Sequence, residues 1–342
     1  MGFMATEASN GRCVRICVTP TRNEAWIIRH FLAASKAWAD QIVVADHRST
    51  DETLQQLQNI PGVDVVINEC PGFDEPHRKR ILLERARTYG GKRILMFLDA
   101  DEAFSANSFK SKEWERISEA KPGTVLRFRW VNILPGFKEA WIPPGYSALG
   151  FVDDGSDFSG WLPIHGPRVP EPPGAAVIDL EEIVVLHFQF VLWERMLSKH
   201  RWYQVLEHIE HQKEPLQTFR QYHHMYGNWD KSEIHPLKPE WLEGYNRAGI
   251  DFRFLQSEPV TWWDREIVQM LVEHGPHRFR RIAIWDKDWN AVADRIGMDG
   301  VNLSDPRSPW EKAVHRLLKA TQKNRANLGV RGVERILRLS GW

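Results

Sequence analysis

Residues 94–102 read Ile94-Leu-Met-Phe-Leu-Asp99-Ala-Asp101-Glu102, and the change of character within this stretch decides the fold. Its first half is an apolar run, too short for a typical helix and rich in Ile, Leu and Phe, which predicts a strand buried on both faces. Its second half brings Asp99, Asp101 and Glu102 within four residues. A buried strand cannot keep unpaired carboxylates, so they are expected beyond its carboxyl end. In an open α/β sheet that is where the ligand crevice lies. Asp99 and Asp101 can share a hard divalent cation there, because carboxylate oxygens suit Mg²⁺ or Mn²⁺ and phosphate supplies the remaining ligands. The competing reading is an acidic turn that caps a helix near Ser105.

Upstream, residues 14–19 and 41–45 read as strands, and 63–67 as a third. Helices are expected over 25–39, where Ile28, Phe31, Leu32 and Trp38 form one face, and over 75–88. Ser49 or Thr50 can cap a short helix after the second strand. Strands alternating with helices argue for βαβ units and a parallel sheet. Polar clusters at 19–24, 46–51 and 99–102 each follow a strand's carboxyl end, so all three open onto one edge. No Gly-x-Gly-x-x-Gly loop or P-loop follows the first strand. Phosphate would therefore be neutralised by a metal together with Arg or Lys. Arg22, His77, Arg78 and Lys79 are available, the last three near a helix start whose dipole favours anions; the alternative is a solvated basic face.

The totals are permissive. The chain has 342 residues, 42% of them hydrophobic, enough for one large domain or two ordinary ones. Lys plus Arg and Asp plus Glu both number 45, so no global charge argues for nucleic acid. Cys13, Cys17 and Cys70 form neither a disulfide framework nor a zinc pattern, and predict core thiols in a reducing, cytoplasmic compartment. No stretch has the apolar length of a membrane span, and the polar N-terminus does not read as a signal peptide. Residues 1–12 read as a disordered leader; Met1 to Thr6 also fits the degenerate myristoylation pattern.

Thr19-Pro-Thr-Arg22-Asn-Glu24, then Val44-Ala-Asp46-His-Arg-Ser49-Thr-Asp51, then Phe97-Leu-Asp99-Ala-Asp101-Glu102 resemble, in order and spacing, the family 2 glycosyltransferases of the GT-A fold. The resemblance covers residues 15–105. It implies a GT-A-like α/β fold, with a mostly parallel sheet, helices on both faces and a helical C-terminal extension. It also implies a nucleotide-sugar donor, usually a UDP-sugar, with Mn²⁺ or Mg²⁺ as cofactor. Carried over by position, Thr19, Arg22 and Glu24 would line the nucleotide pocket, Asp46 and Ser49 would lie at the base or ribose, and Arg78 near the nucleotide. Asp99 would meet ribose or metal-bound water, and Asp101 would hold the metal. The family's Ile-His-Glu step appears as Ile164-His165-Gly166, which leaves the catalytic base open. His187, within the strand expected over 183–190, resembles the downstream histidine that reaches metal or diphosphate; the competing reading is a core histidine.

The catalytic domain is expected over 13–192. Within it, residues 143–173 read as a long acceptor-side loop carrying Asp153, Asp154, Asp157 and Trp161. A strand is expected over 124–132. Residues 193–342 form a helical region, with stripes at Trp193, Met196, Leu197, Val205 and Leu206 and again around Ile267, Met270 and Leu271. His208, His211, His223, His224 and His235 lack metalloprotease spacing. Residues 309–342 carry eight Lys or Arg against two Glu, a basic amphipathic tail suited to peripheral contact with an anionic membrane or acidic partner, or else a helix packed on the domain.

The expected activity is metal-dependent transfer of a sugar to an acceptor hydroxyl with inversion. Cation and arginine would neutralise the departing diphosphate, and Asp153, Asp154, Asp157 or His165 would take the acceptor proton. Competing readings are a nucleotide-binding module without turnover and a sugar nucleotidyltransferase.

Overall fold

The computed structural model describes residues 13–158, 162, 164–227 and 229–342; the leader 1–12 and Trp161 lie outside the described residues. In chain order the elements are β1 (Cys13–Thr21), α1 (Ile28–Ser35), β2 (Gln41–Asp46), α2 (Thr53–Gln58), β3 (Val63–Ile67), α3 (Glu75–Ala86), β4 (Lys92–Phe97), β5 (Glu102–Phe104), α4 (Glu113–Glu119), β6 (Val125–Ile133), β7 (Glu139–Trp141), β8 (Ser147–Val152) and β9 (Val177–His187). They continue as α5 (Trp193–Glu210), α6 (Pro215–His223), β10 (Ile234–Pro236), α7 (Glu240–Arg247), α8 (Trp262–His274), α9 (Trp289–Arg295), α10 (Pro309–Ala320) and α11 (Leu328–Leu339).

The expected α/β architecture is present. β3, β2, β1 and β4 lie side by side and parallel. The order turns back at β1, with β2 on one side and β4 on the other, which makes the β1–β4 boundary the place where a crevice opens. Alternation along β1 puts its side chains on both faces. Ile16 and Val18 join Leu82, Leu83 and Ala86 of α3, while the Cys17 thiol meets the Ser35 hydroxyl of α1 at 3.6 Å. Helices thus cover the sheet from both sides.

Beyond β4 the sheet becomes mixed: β8 is antiparallel to β4 and to β6, β6 runs parallel to β9, and β5 is antiparallel to β9. The loop expected over 143–173 therefore contains a sheet strand, β8. Its signal is hidden because Gly150 interrupts the apolar run, and that glycine is required: a Cβ there would stand 2.4 Å from Met96 Sδ and 3.1 Å from the Leu95 carbonyl oxygen. The helix of the competing reading is a single short turn that begins at Ser105. Glu102–Phe104 pairs as a strand, and a short 3₁₀ turn, Ala106–Lys110, follows it.

The described chain divides into two compact units, residues 1–191 with 235–256, and residues 192–234 with 257–342. A single boundary at 192 misses the return of 235–256 to the first unit, where Gly244 of α7 backs onto Ala106 and the Tyr245 hydroxyl donates to the Phe104 carbonyl. The second unit is helical. Thr261 and Asp264 close a capping box at the start of α8, and Leu216, Phe219, Val314, Leu318, Leu337 and Trp342 share a core. No helix among the described residues is long and apolar enough to cross a membrane.

Candidate active site

The loops after β1 and β2 are knitted together. Asn23, at φ +56°, turns its amide oxygen to accept from the backbone N–H of Thr50 and Asp51 at 2.7 and 3.3 Å. Ser49 does not cap α2. Its hydroxyl donates to Asp46 at 2.6 Å and accepts from the Asn23 N–H at 2.9 Å. Asp46 is fully buried and also accepts from the Thr21 hydroxyl at 3.2 Å. Thr19 is buried in β1. Glu24 accepts from the Trp26 indole at 2.5 Å, and Arg22 is half-buried in the loop between them. These residues shape one rigid wall at the strand ends.

The acidic turn after β4 forms the second wall. Glu102 is buried, and its carboxylate accepts from the Asp99 N–H at 2.9 Å, the Trp130 indole at 2.9 Å and Arg168 at 2.6 Å. The other arm of Arg168 reaches Asp99 at 2.8 Å, and its guanidinium lies 5.4 Å from the Trp130 ring centre. Burial pushes the Glu102 carboxyl up, with Arg168 pulling against it.

Strand register brings His187 to the same place. It stands opposite Glu102 on β5 and Asn132 on β6. The Asn132 amide nitrogen donates to the Trp141 carbonyl at 3.2 Å, which turns its oxygen toward His187 Nδ1 at 2.7 Å. Nδ1 is then the donor, and Nε2 faces the Asp101 carboxylate at 3.5 Å. An imidazole nitrogen and a carboxylate placed in this way can share a divalent cation. Among the described residues no group of three His, Cys, Asp or Glu side chains converges as a metal site. What converges is this pair, one carboxylate and one imidazole, a donor set that fits Mn²⁺ or Mg²⁺ when phosphate oxygens complete the sphere.

A basic cluster sits beside the β2 end. His47 Nε2 lies 2.7 Å from the Cys70 carbonyl; burial, then the charges of Arg22 and Arg78, hold its pKa below the ordinary histidine value. Arg78 stands 3.8 Å from Glu75 and over the Phe73 ring, and its buried Nε makes no hydrogen bond. In the first turns of α3, Lys79 pairs with Glu75 at 2.7 Å and donates to the carbonyls of Gly166 and Pro167 at 3.0 and 2.8 Å. Glu75 also accepts from the His165 N–H at 2.7 Å. This clasp fastens residues 165–168 to α3 and so delivers Arg168 to the acidic turn.

Asp153 and Asp154 do not share this edge. β8 runs antiparallel to β4, with Val152 opposite Ile94, so its far end meets the amino-terminal end of β4. There Asp153 is taken by Arg87 at 2.9 Å and Arg93 at 2.8 Å. Asp154 accepts from the Ser156 N–H and Asp157 from that of Phe158, both on an exposed loop. About 20 Å of strand separates Asp153 from the acidic turn. That register sets Asp153 and Asp154, two of the residues expected to abstract the acceptor proton, apart from the acidic turn. His165 is the member of the candidate set carried on the segment that returns to the site. Arg168, Trp130, Asn132 and His47 emerge only from the fold.

No protein-family model matches the chain, and no curated protein matches it. Among solved structures it is similar to glucosyl-3-phosphoglycerate synthase from Mycobacterium tuberculosis, in complex with Mn²⁺, UDP and glucosyl-3-phosphoglycerate, at 25% identity and TM-score 0.22. That likeness covers 27% of this chain and 34% of the other, so the chain spans about a third of that protein's length. It is also similar to a nucleotidyl transferase from Methanothermobacter thermautotroptrophicus at 18% identity and TM-score 0.22, over 40% of this chain and 70% of that one. A third similarity is to the inositol-1-phosphate CTP transferase from T. maritima, at 11% identity and TM-score 0.31, over 51% and 89%.

Proposed function

We propose that the chain is a glycosyltransferase that takes a sugar from a nucleotide-sugar, of the UDP type, and joins it to an acceptor hydroxyl with inversion. The observation that carries this reading is the face-to-face pair Asp101 and His187 at the crevice edge, with Arg22 and His47 on the neighbouring loops and Arg78 in the first turn of α3. Asp101 and His187 would hold a Mn²⁺ or Mg²⁺ ion, which when bound supplies electrostatic stabilisation to the departing diphosphate. Arg22, His47 and Arg78 would meet the phosphates. Asp46 and Ser49, fixed by each other, would shape the nucleoside side together with Thr19 and Glu24. Arg168, held by Asp99 and Glu102, would keep the acidic turn in place and offset part of its charge. Inversion needs a base on the acceptor side, and we assign that role to His165.

A screen of nucleotide-sugars with Mn²⁺, scored by released nucleoside diphosphate, tests the proposal. Release that depends on Mn²⁺ and on Asp101 supports it. Tight UDP binding without sugar release would instead favour the binding module, and pyrophosphate release from a nucleoside triphosphate and a sugar phosphate the nucleotidyltransferase.

A further inference from the structure

Three of the four most exposed large apolar side chains among the described residues lie on one helix, α11: Leu339 at 85%, Leu328 at 81% and Ile336 at 67%. The helix buries only Leu337, and on that side Glu334 is tied to Arg220 at 2.7 Å. At about 100° per residue, Leu328, Leu339 and Ile336 fall on a single arc turned away from the buried side, and the exposed Val333 borders that side. Gly329 and Gly332 are the residues between them, so no polar side chain interrupts the stripe. Arg331, Arg335 and Arg338 line its flank.

The charge beside the stripe is not balanced. The two acids of residues 309–342 are both used elsewhere, Glu311 by Arg280 at 2.8 Å and Glu334 by Arg220. Arg331 and Arg335 have no ion-pair partner among the described residues, and Arg338 has a solvent-exposed one, Glu214, at 3.6 Å. A second copy of the chain would bring the same uncompensated arginines against each other and offers no complementary charge. An anionic bilayer offers both an apolar layer for the leucines and phosphates for the arginines, at the depth each occupies on such a helix.

We propose that α11 docks the protein on an anionic lipid bilayer, lying in the headgroup plane with Leu328, Ile336 and Leu339 inserted and Arg331, Arg335 and Arg338 at the phosphates. The test is co-sedimentation of the full chain with phosphatidylglycerol–phosphatidylcholine vesicles, compared with phosphatidylcholine alone. The expected result is binding to the anionic vesicles at least about tenfold tighter than to the neutral ones, and a similar loss in Ile336→Asp/Leu339→Asp. Arg331→Gln/Arg335→Gln should weaken binding and flatten its salt dependence. The substituted side chains are exposed, so thermal melts of both variants should match the wild type. Absence of binding to the anionic vesicles, undiminished binding by the leucine-stripe variant, or a wild-type dimer in light scattering that this variant abolishes would each overturn the proposal.

Discussion

Arg168 is the side chain on which the acidic turn depends. It neutralises two carboxylates, one of them, Glu102, with a fully buried side chain. Arg168→Met should destabilise the first unit by about 3 kcal/mol, because an unpaired buried carboxylate remains; urea unfolding followed by circular dichroism measures this. Asp101→Asn should lower Mn²⁺-dependent turnover by on the order of a hundredfold or more, read as a fall in kcat rather than a rise in KM. The sequence made Asp99, Asp101 and Glu102 legible because carboxylates directly after an apolar strand have few places to go. It did not make Arg168 legible. That residue sits in a Gly- and Pro-rich stretch without periodicity, and only the clasp of Lys79 on the Gly166 and Pro167 carbonyls brings it to the turn.

Among the elements, β8 shows how a strand escapes a pattern reading. Gly150 breaks its apolar run, yet it is what allows β8 to lie against Met96. Gly150→Ala should cost about 1–3 kcal/mol through overpacking, and shortening the neighbour with Met96→Val should recover part of it in a double-mutant cycle. The same strand carries Asp153 to the far end of the sheet. Burial alone would raise the Asp153 carboxyl, but Arg87 and Arg93 outweigh it and hold its pKa below the usual value. Its stabilisation is therefore complete above the ordinary aspartate range near pH 4 and is lost as pH falls through its lowered value. Asp153→Asn should lower the thermal midpoint at pH 7 while leaving turnover per folded molecule within about twofold, since about 20 Å of strand separates it from the acidic turn. β1 to β4 were legible from alternation and loop chemistry. The antiparallel insertion was not, because the order of strands in a sheet is decided by tertiary pairing.

For the whole molecule, the two units should respond differently to acid. In the helical unit, burial holds His223 at about 3 and His315 at about 4. His315 is fixed between Arg281, whose carbonyl lies 3.0 Å from Nε2, and the Arg307 guanidinium at 3.1 Å. Both rings stay neutral in the fold but take up protons in the unfolded chain below the ordinary histidine value near 6.5. Stability of this unit should therefore fall as pH drops from about 6.5 toward 4, by on the order of 2 kcal/mol between pH 7 and 5.5. Tryptophan-fluorescence melts across that range should show a transition moving down in temperature, and His315→Gln should reduce the shift. The helices here are legible in the sequence, but a chain that leaves a unit and returns at 235–256 carries no local mark of doing so.

In the proposed function, Asp101 and His187 grip a divalent ion together with a nucleoside diphosphate. Electron paramagnetic resonance of Mn²⁺ titrated with the protein, with and without UDP, measures it directly. Binding should tighten at least about tenfold when UDP is present and should be lost in both Asp101→Asn and His187→Ala. Mn²⁺ binding that is indifferent to UDP, or that survives in both variants, would contradict the account.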